Sequence, residues 1–156
     1  MPEPEARVHH HVLLQRRGGV AKVARTLLTL QGAGARLSYE VEEPGNTSGG
    51  QTGPAGERCG PGQLAAAAPQ GWLVHAHATR DWHALLAGFA AASRPLVVTA
   101  HDGSLITGGC VYPVTCPHHA KACLDPCPRG YPESQANRAL KRELVAAARP
   151  LLASPS

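Results

Sequence analysis

Aromatic side chains are scarce in this chain, and no apolar run is long. Aromatics make up 4% of the 156 residues, although 43% of the chain is hydrophobic. A core must therefore be built mainly from Leu, Val and Ala. No apolar run approaches the length a membrane-spanning helix needs, so no transmembrane segment is expected. No dense Lys/Arg run interleaves with aromatics, which argues against nucleic acid despite a net charge of +4. A mildly basic surface suits anionic lipid or phosphate-bearing substrates equally well. No C-x2-C pair stands at a helix start, which disfavours a dithiol redox enzyme. The opening M-P-E-P-E-A-R is acidic and lacks a signal-peptide apolar region, so a cytoplasmic location is expected. There is no internal repeat, and residues 1–156 read as one domain.

Glycine and proline are abundant, at 17 and 14 residues, and they punctuate an alternating pattern. Val8–Leu14 reads as a strand that includes the triplet His9-His10-His11. A Gly18-Gly19 turn follows, then a segment with apolar residues at Val20, Val23, Ala24, Leu27, Leu28 and Leu30, close to helical period. Ala35–Val41 reads as a second strand. Residues 43–62 are rich in Gly, Pro, Ser and Thr and read as a flexible loop, with Cys59 a free thiol in it. Leu64–Ala68 reads as a short helix, and Trp72–His75 as a strand running into H-A-T-R-D-W. Asp81 is placed to cap a helix over Trp82–Ala92. Pro95–Ala100 reads as a buried strand. Residues 110–132 form a Cys-rich loop. Ser134–Ala148 reads as an amphipathic helix with a charged face at Arg138, Lys141 and Arg142, before a last strand at Leu151–Ala153. Strands alternating with helices predict an α/β fold: a Rossmann-like parallel sheet with helices on both faces.

Three groups of residues carry chemistry. His101 and Asp102 directly follow a buried strand, where open α/β sheets present their sites. An imidazole there accepts a proton or binds a hydroxyl, and Asp102 either orients it or caps the next turn. The bland alternative is a histidine satisfied by the backbone. His77 is a second candidate at the preceding strand end. The Gly18-Gly19 turn, preceded by Arg16 and Arg17, lets backbone N–H groups approach an anion at a helix start. Lastly, Cys110, Cys116, Cys123 and Cys127 follow the spacing C-x5-C-x6-C-x3-C. Four closely spaced thiolates can wrap a structural zinc, and His118 or His119 can replace one of them. Buried reduced thiols and a labile disulfide are the alternatives.

The order T-A-H-D-G-S-L-I-T-G-G-C, a further cysteine, C-x3-C-P, Y-P, a basic helix and A-S-P-S resembles bacterial family 4 glycosyltransferases. G-G-V-A-K-V-A resembles that family's first glycine loop, and V-H-A-H-A-T-R-D-W the strand before the His-Asp strand. The resemblance runs along nearly the whole chain and implies the N-terminal half of a GT-B fold. It implies that His101 lies beside the transferred sugar. It further implies that Gly18 and Gly19 lie near the donor phosphates and acceptor, and that Thr107 and Gly108 shape the acceptor side; Arg16, just before the glycines, is a substrate-binding candidate. The acceptor is then a glycan or a lipid-linked glycan, met in the cytoplasm, with peripheral contact at the inner membrane face compatible with it. The family's E-x7-E donor motif is absent, so a donor-binding domain or subunit is an expected partner, and a nucleotide sugar is a donor only with that second domain. The last cysteine pair departs from the family's C-x2-C by one residue. The competing expectation is a non-catalytic zinc- or thiol-bearing binding module that keeps the fold.

Overall fold

The central strand β1 (Val8–Leu14) carries seven residues, five of them buried in sequence, as a strand covered on both faces must. It pairs in parallel with β2 (Ala35–Val41) on one side and β4 (Leu73–Ala76) on the other. Two-residue β3 (Glu57–Arg58) extends β2 at one edge. On the other side β5 (Leu96–Thr99) pairs with β4, and β6 (Leu151–Ala153) with β5. The result is a six-stranded, all-parallel sheet in the order β3-β2-β1-β4-β5-β6. This computed structural model describes residues 6–43, 56–113, 115–118 and 121–154.

Helices cover both faces. The helix α1 (Gly18–Gln31) lays Ala24 and Leu28 against Val12, Leu37 and Tyr39 of β1 and β2. On the opposite face, α2 (Leu64–Ala67), α3 (Trp82–Ala92) and α4 (Ser134–Ala148) enclose a larger cluster. There Leu64, Leu85, Leu86 and Phe89 pack on Val74, Ala76, Leu96 and Val98. Complete burial of each such side chain is worth about 1.5–3 kcal/mol. Apart from Phe89 and Trp82, this core is aliphatic, as the composition requires.

Local signals set the boundaries. Asp81 Oδ1 accepts the Ala84 N–H at 2.9 Å and starts α3 as an N-cap. Asp125 Oδ2 accepts the Gln135 N–H at 3.0 Å in the first turn of α4, a job done by the residue pair that lengthens the last cysteine spacing. β1, β2, β6, α3 and α4 fall where the sequence places them. β4 and β5 are offset or trimmed by about a residue, and α1 begins at Gly18, whose φ of 87° suits glycine.

Part of the 43–62 loop is corrected. Residues 44–55 lie outside the described residues, but 56–63 form β3 and a 3-10 turn, Pro61–Gln63. Cys59 is buried there, its N–H donating to Tyr39 O at 2.8 Å, and burial raises its thiol pKa. Neither Glu57 nor Arg58 is apolar, so nothing in their sequence marks a strand. They pair because Gly56 admits the chain beside Leu37, where an added Cβ would sit 3.0 Å from the Leu37 carbonyl. A second correction concerns Lys141. It is 4% exposed rather than on a charged face, and its ammonium donates to Ser104 O at 2.5 Å. Burial lowers its pKa.

Candidate functional site

Because all strands are parallel, the segments following β1, β4 and β5 leave the sheet at one edge. The chain runs outward from β1 in both directions, so the crevice between β1 and β4 is the switch point where α/β sheets place ligands. Arg16–Gly19, His77 and His101-Asp102 all follow those strand ends. Beside them lies a polar cleft of about 350 Å³, lined by Arg80, Asp81, His83, Ser104, Asn137 and Lys141 among others. The glycine loop already holds one anion. Glu43 Oε2 accepts the N–H groups of Arg16 and Arg17 at 2.8 and 2.7 Å.

The turn after β5 is tightly built. Asp102 Oδ1 accepts the Ser104 N–H at 2.7 Å, the capping option for that residue. Trp82 Nε1 donates to Ser104 Oγ at 2.9 Å. Thr107, 1% exposed, donates to Cys110 O at 2.9 Å. Its hydroxyl serves the turn itself. Gly108 stands in the same turn. A Cβ there would lie 2.3 Å from the Ser134 carbonyl oxygen, so the glycine lets α4 dock.

Behind His101 lies a histidine ladder that the sequence did not single out. Register puts His10 opposite His75, and strand period puts His75 and His77 on the same face. His77 Nδ1 and His101 Nε2 are 3.2 Å apart, and His10 Nδ1 and His77 Nε2 are 3.1 Å apart. Gln31 Oε1 ends the chain at 2.8 Å from His10 Nε2. An amide oxygen only accepts, so His10 carries its proton on Nε2. His77 then donates from Nε2 and His101 from Nε2, which leaves His101 Nδ1 as an unprotonated nitrogen at the sheet edge. His77 is 2% exposed, and its contact toward the sheet edge is with His101. Burial lowers His75 to about 4 and His77 to about 2. His101 is also lowered by burial, against the opposing pull of Asp102. The whole ladder is neutral at pH 7.

Alternation sends His9 and His11 to the other face. Both meet Ser38 Oγ, at 2.8 and 2.9 Å, and His11 Nε2 lies 3.3 Å from Glu40 Oε1. Ser, His and Glu thus stand in a row, but Ser38 is 1% exposed, so no substrate reaches it. Burial alone would raise Glu40. Hydrogen bonds from His11, Thr79 and Arg80 outweigh it and lower the carboxyl.

The cysteine loop closes over a second feature. Cys110, Cys116, Cys123, Cys127 and His118 line one cavity of about 20 Å³, room for a single water-sized occupant. Its sulfurs receive donors: Gly108 N–H reaches Cys123 Sγ at 3.2 Å, and the Arg129 guanidinium reaches Cys110 Sγ at 3.4 Å. Backbone N–H groups of Arg129 and Tyr131 lower the Cys127 thiol. Among the described residues, however, the trio whose ligand atoms lie within 4.8 Å of one another is His10, His75 and His77, not the thiols. His119 lies outside the described residues. Among the described residues no helix is long and apolar enough to cross a membrane.

The chain matches no protein-family model, no curated protein and no solved structure. The fold and the site geometry must carry any functional reading.

Proposed function

We propose that this chain is the acceptor-side domain of a glycosyltransferase that moves a sugar from a nucleotide-sugar donor to a glycan or lipid-linked acceptor. The observation that carries this reading is the meeting of the glycine loop and His101 at one sheet edge, at the topological switch point. The sequence resemblance to family 4 glycosyltransferases supports it independently. In such a transfer an acceptor hydroxyl forms a bond to the anomeric carbon as the bond to the nucleotide phosphate breaks, and the hydroxyl's proton passes to the departing phosphate oxygen. His101, neutral and with Nδ1 unprotonated, accepts a hydrogen bond from a sugar hydroxyl. The polar cleft beside Arg80 and Lys141 receives the acceptor. The departing phosphate charge is stabilised by a donor-binding domain or subunit. A structural zinc, were Cys110, Cys116, Cys123 and Cys127 to close on one, would pin the turn that follows His101.

The reading is tested by binding and by transfer. Calorimetry with UDP-glucose and GDP-mannose should show binding by this chain alone weaker than micromolar, since micromolar affinity needs about −8 kcal/mol. Adding a donor-binding partner should give transfer, and His101→Ala should cost at least about 100-fold in rate. Full activity of His101→Ala, or micromolar donor binding by this chain alone, contradicts the proposal. The competing reading, a non-catalytic metal or thiol module, is favoured by the cysteine cavity and predicts no transfer with any partner.

A further inference from the structure

The histidine ladder has a geometry that hydrogen bonding alone does not require. Each of three imidazoles has its outer nitrogen held: His10 Nε2 by Gln31 Oε1 at 2.8 Å, His75 Nε2 by Thr99 Oγ1 at 2.7 Å, and His77 Nδ1 by His101 at 3.2 Å. That leaves His10 Nδ1, His75 Nδ1 and His77 Nε2 as the remaining nitrogens, and the three residues offer ligand atoms within 4.8 Å of one another. An outer nitrogen fixed by an oxygen or a ring partner is how metal-binding histidines are oriented. The His10–His77 separation of 3.1 Å is close to the about 3.3 Å that two imidazole nitrogens take around a tetrahedral zinc. Three imidazoles, two on strands and one just past a strand end, with no carboxylate among them, select a borderline cation such as Zn²⁺, Co²⁺ or Ni²⁺ over Mg²⁺ or Ca²⁺.

We propose that His10, His75 and His77 form a binding site for one divalent transition-metal ion, distinct from the cysteine cavity and linked to the sheet edge through His101. Three protein ligands leave a fourth tetrahedral position open to exchangeable water. Occupancy changes the ladder's proton arrangement without changing its proton count. His77 gives up Nε2–H to free that nitrogen for the metal and carries its proton on Nδ1 instead, donating to His101. His101 then accepts at Nε2 and holds its proton on Nδ1. The metal therefore converts the outward nitrogen of His101 from an acceptor into a donor. This inference stands apart from the glycosyl-transfer reading and survives its failure.

The test uses the full chain, stripped of metal and with its accessible thiols alkylated, titrated with CoCl₂. The expected result is about one Co²⁺ per chain with visible d–d absorption and no thiolate charge-transfer band. Affinity should fall at least tenfold in His75→Ala, the one member of the trio that is not fully buried. Should that variant fail to fold, histidine ¹⁵N NMR of the unsubstituted, thiol-alkylated chain decides. ZnCl₂ should move the ring nitrogens of His10, His75 and His77 together and shift the proton of His101 from Nε2 to Nδ1. No binding by the alkylated chain, binding unchanged in His75→Ala, or ring shifts confined to His83 and His118 would overturn the proposal.

Discussion

The histidine ladder and the cysteine loop are both clusters of soft or borderline ligands near the same sheet edge, yet they are built in opposite ways. The ladder stands on β1 and β4 and on the residues just past the ends of β4 and β5, and its spacing is set by parallel register and the two-residue period. The cysteines stand on a loop with little regular structure, and their spacing is set by turns and by α4 docking on Gly108. Strand-borne ligands are held whether or not a metal is present. Loop-borne thiols have no such frame and rely on turns and on donors such as Arg129, which reaches Cys110 Sγ at 3.4 Å. The ladder is therefore preorganised by the sheet, and the loop by its turns and by α4.

The largest effect that separates the two regions is Gly108→Ala. Its Cβ meets backbone and side-chain atoms of Ser134, so relief requires α4 to move. The expected cost is about 3 kcal/mol in denaturant unfolding. Exchange protection should fall in residues 105–135 and stay unchanged in β1 and β4. Equal loss in β1 would break the distinction.

Metal removal comes next. Zinc at a hundredfold its dissociation constant for the thiols should stabilise the chain by about 2.7 kcal/mol. Chelation should reverse that gain and raise hydrogen exchange in residues 110–132, while the central strands keep their protection. A chelated chain whose cysteine loop remains as protected as β4 would show that the loop needs no metal.

The buried network behind the ladder should answer to acid. Glu40 is held below its ordinary value of 4.5, so its folded form binds protons less readily than its unfolded form. It contributes stability that is present above pH 4.5 and is lost as pH falls through the folded value. Glu40→Gln should flatten that acid limb and cost about 1–2 kcal/mol at neutral pH, because His11 and Arg80 lose a charged acceptor. An unchanged acid limb would mean that the carboxylate is not what holds this face. The smallest effect is a control outside both regions: Asp81→Ala removes the α3 cap and should cost about 1 kcal/mol without altering metal binding.

The same contrast explains what could be read from the sequence. Strands and helices with strong period were legible to the residue, as with β1, β2, α3 and α4. The cysteine cluster was legible because its members are neighbours in sequence. His101 and Asp102 were visible because they stand where a buried run stops. The ladder was not, although V-H-H-H-V and V-H-A-H are both conspicuous. Its partners come from β1 and β4, which are 65 residues apart at the His10–His75 pair, and their adjacency depends on β4 pairing with β1 rather than β2. Single-strand period can say that His75 and His77 share a face, but not which strand lies beside them. β3 was invisible for a related reason, since two charged residues become a strand only by pairing with β2. The burial of Lys141, Thr107 and His77 is likewise decided by tertiary packing against a short polar partner, which no local pattern records.

The measurement that tests the contrast most directly is zinc-edge X-ray absorption of the full chain loaded with about two equivalents of zinc. The account predicts a mixed first shell, sulfur near about 2.3 Å and nitrogen near about 2.0–2.1 Å. After thiol alkylation the sulfur shell should vanish and the nitrogen shell remain. A first shell of sulfur alone in the loaded chain, with no bound zinc left after alkylation, would contradict it.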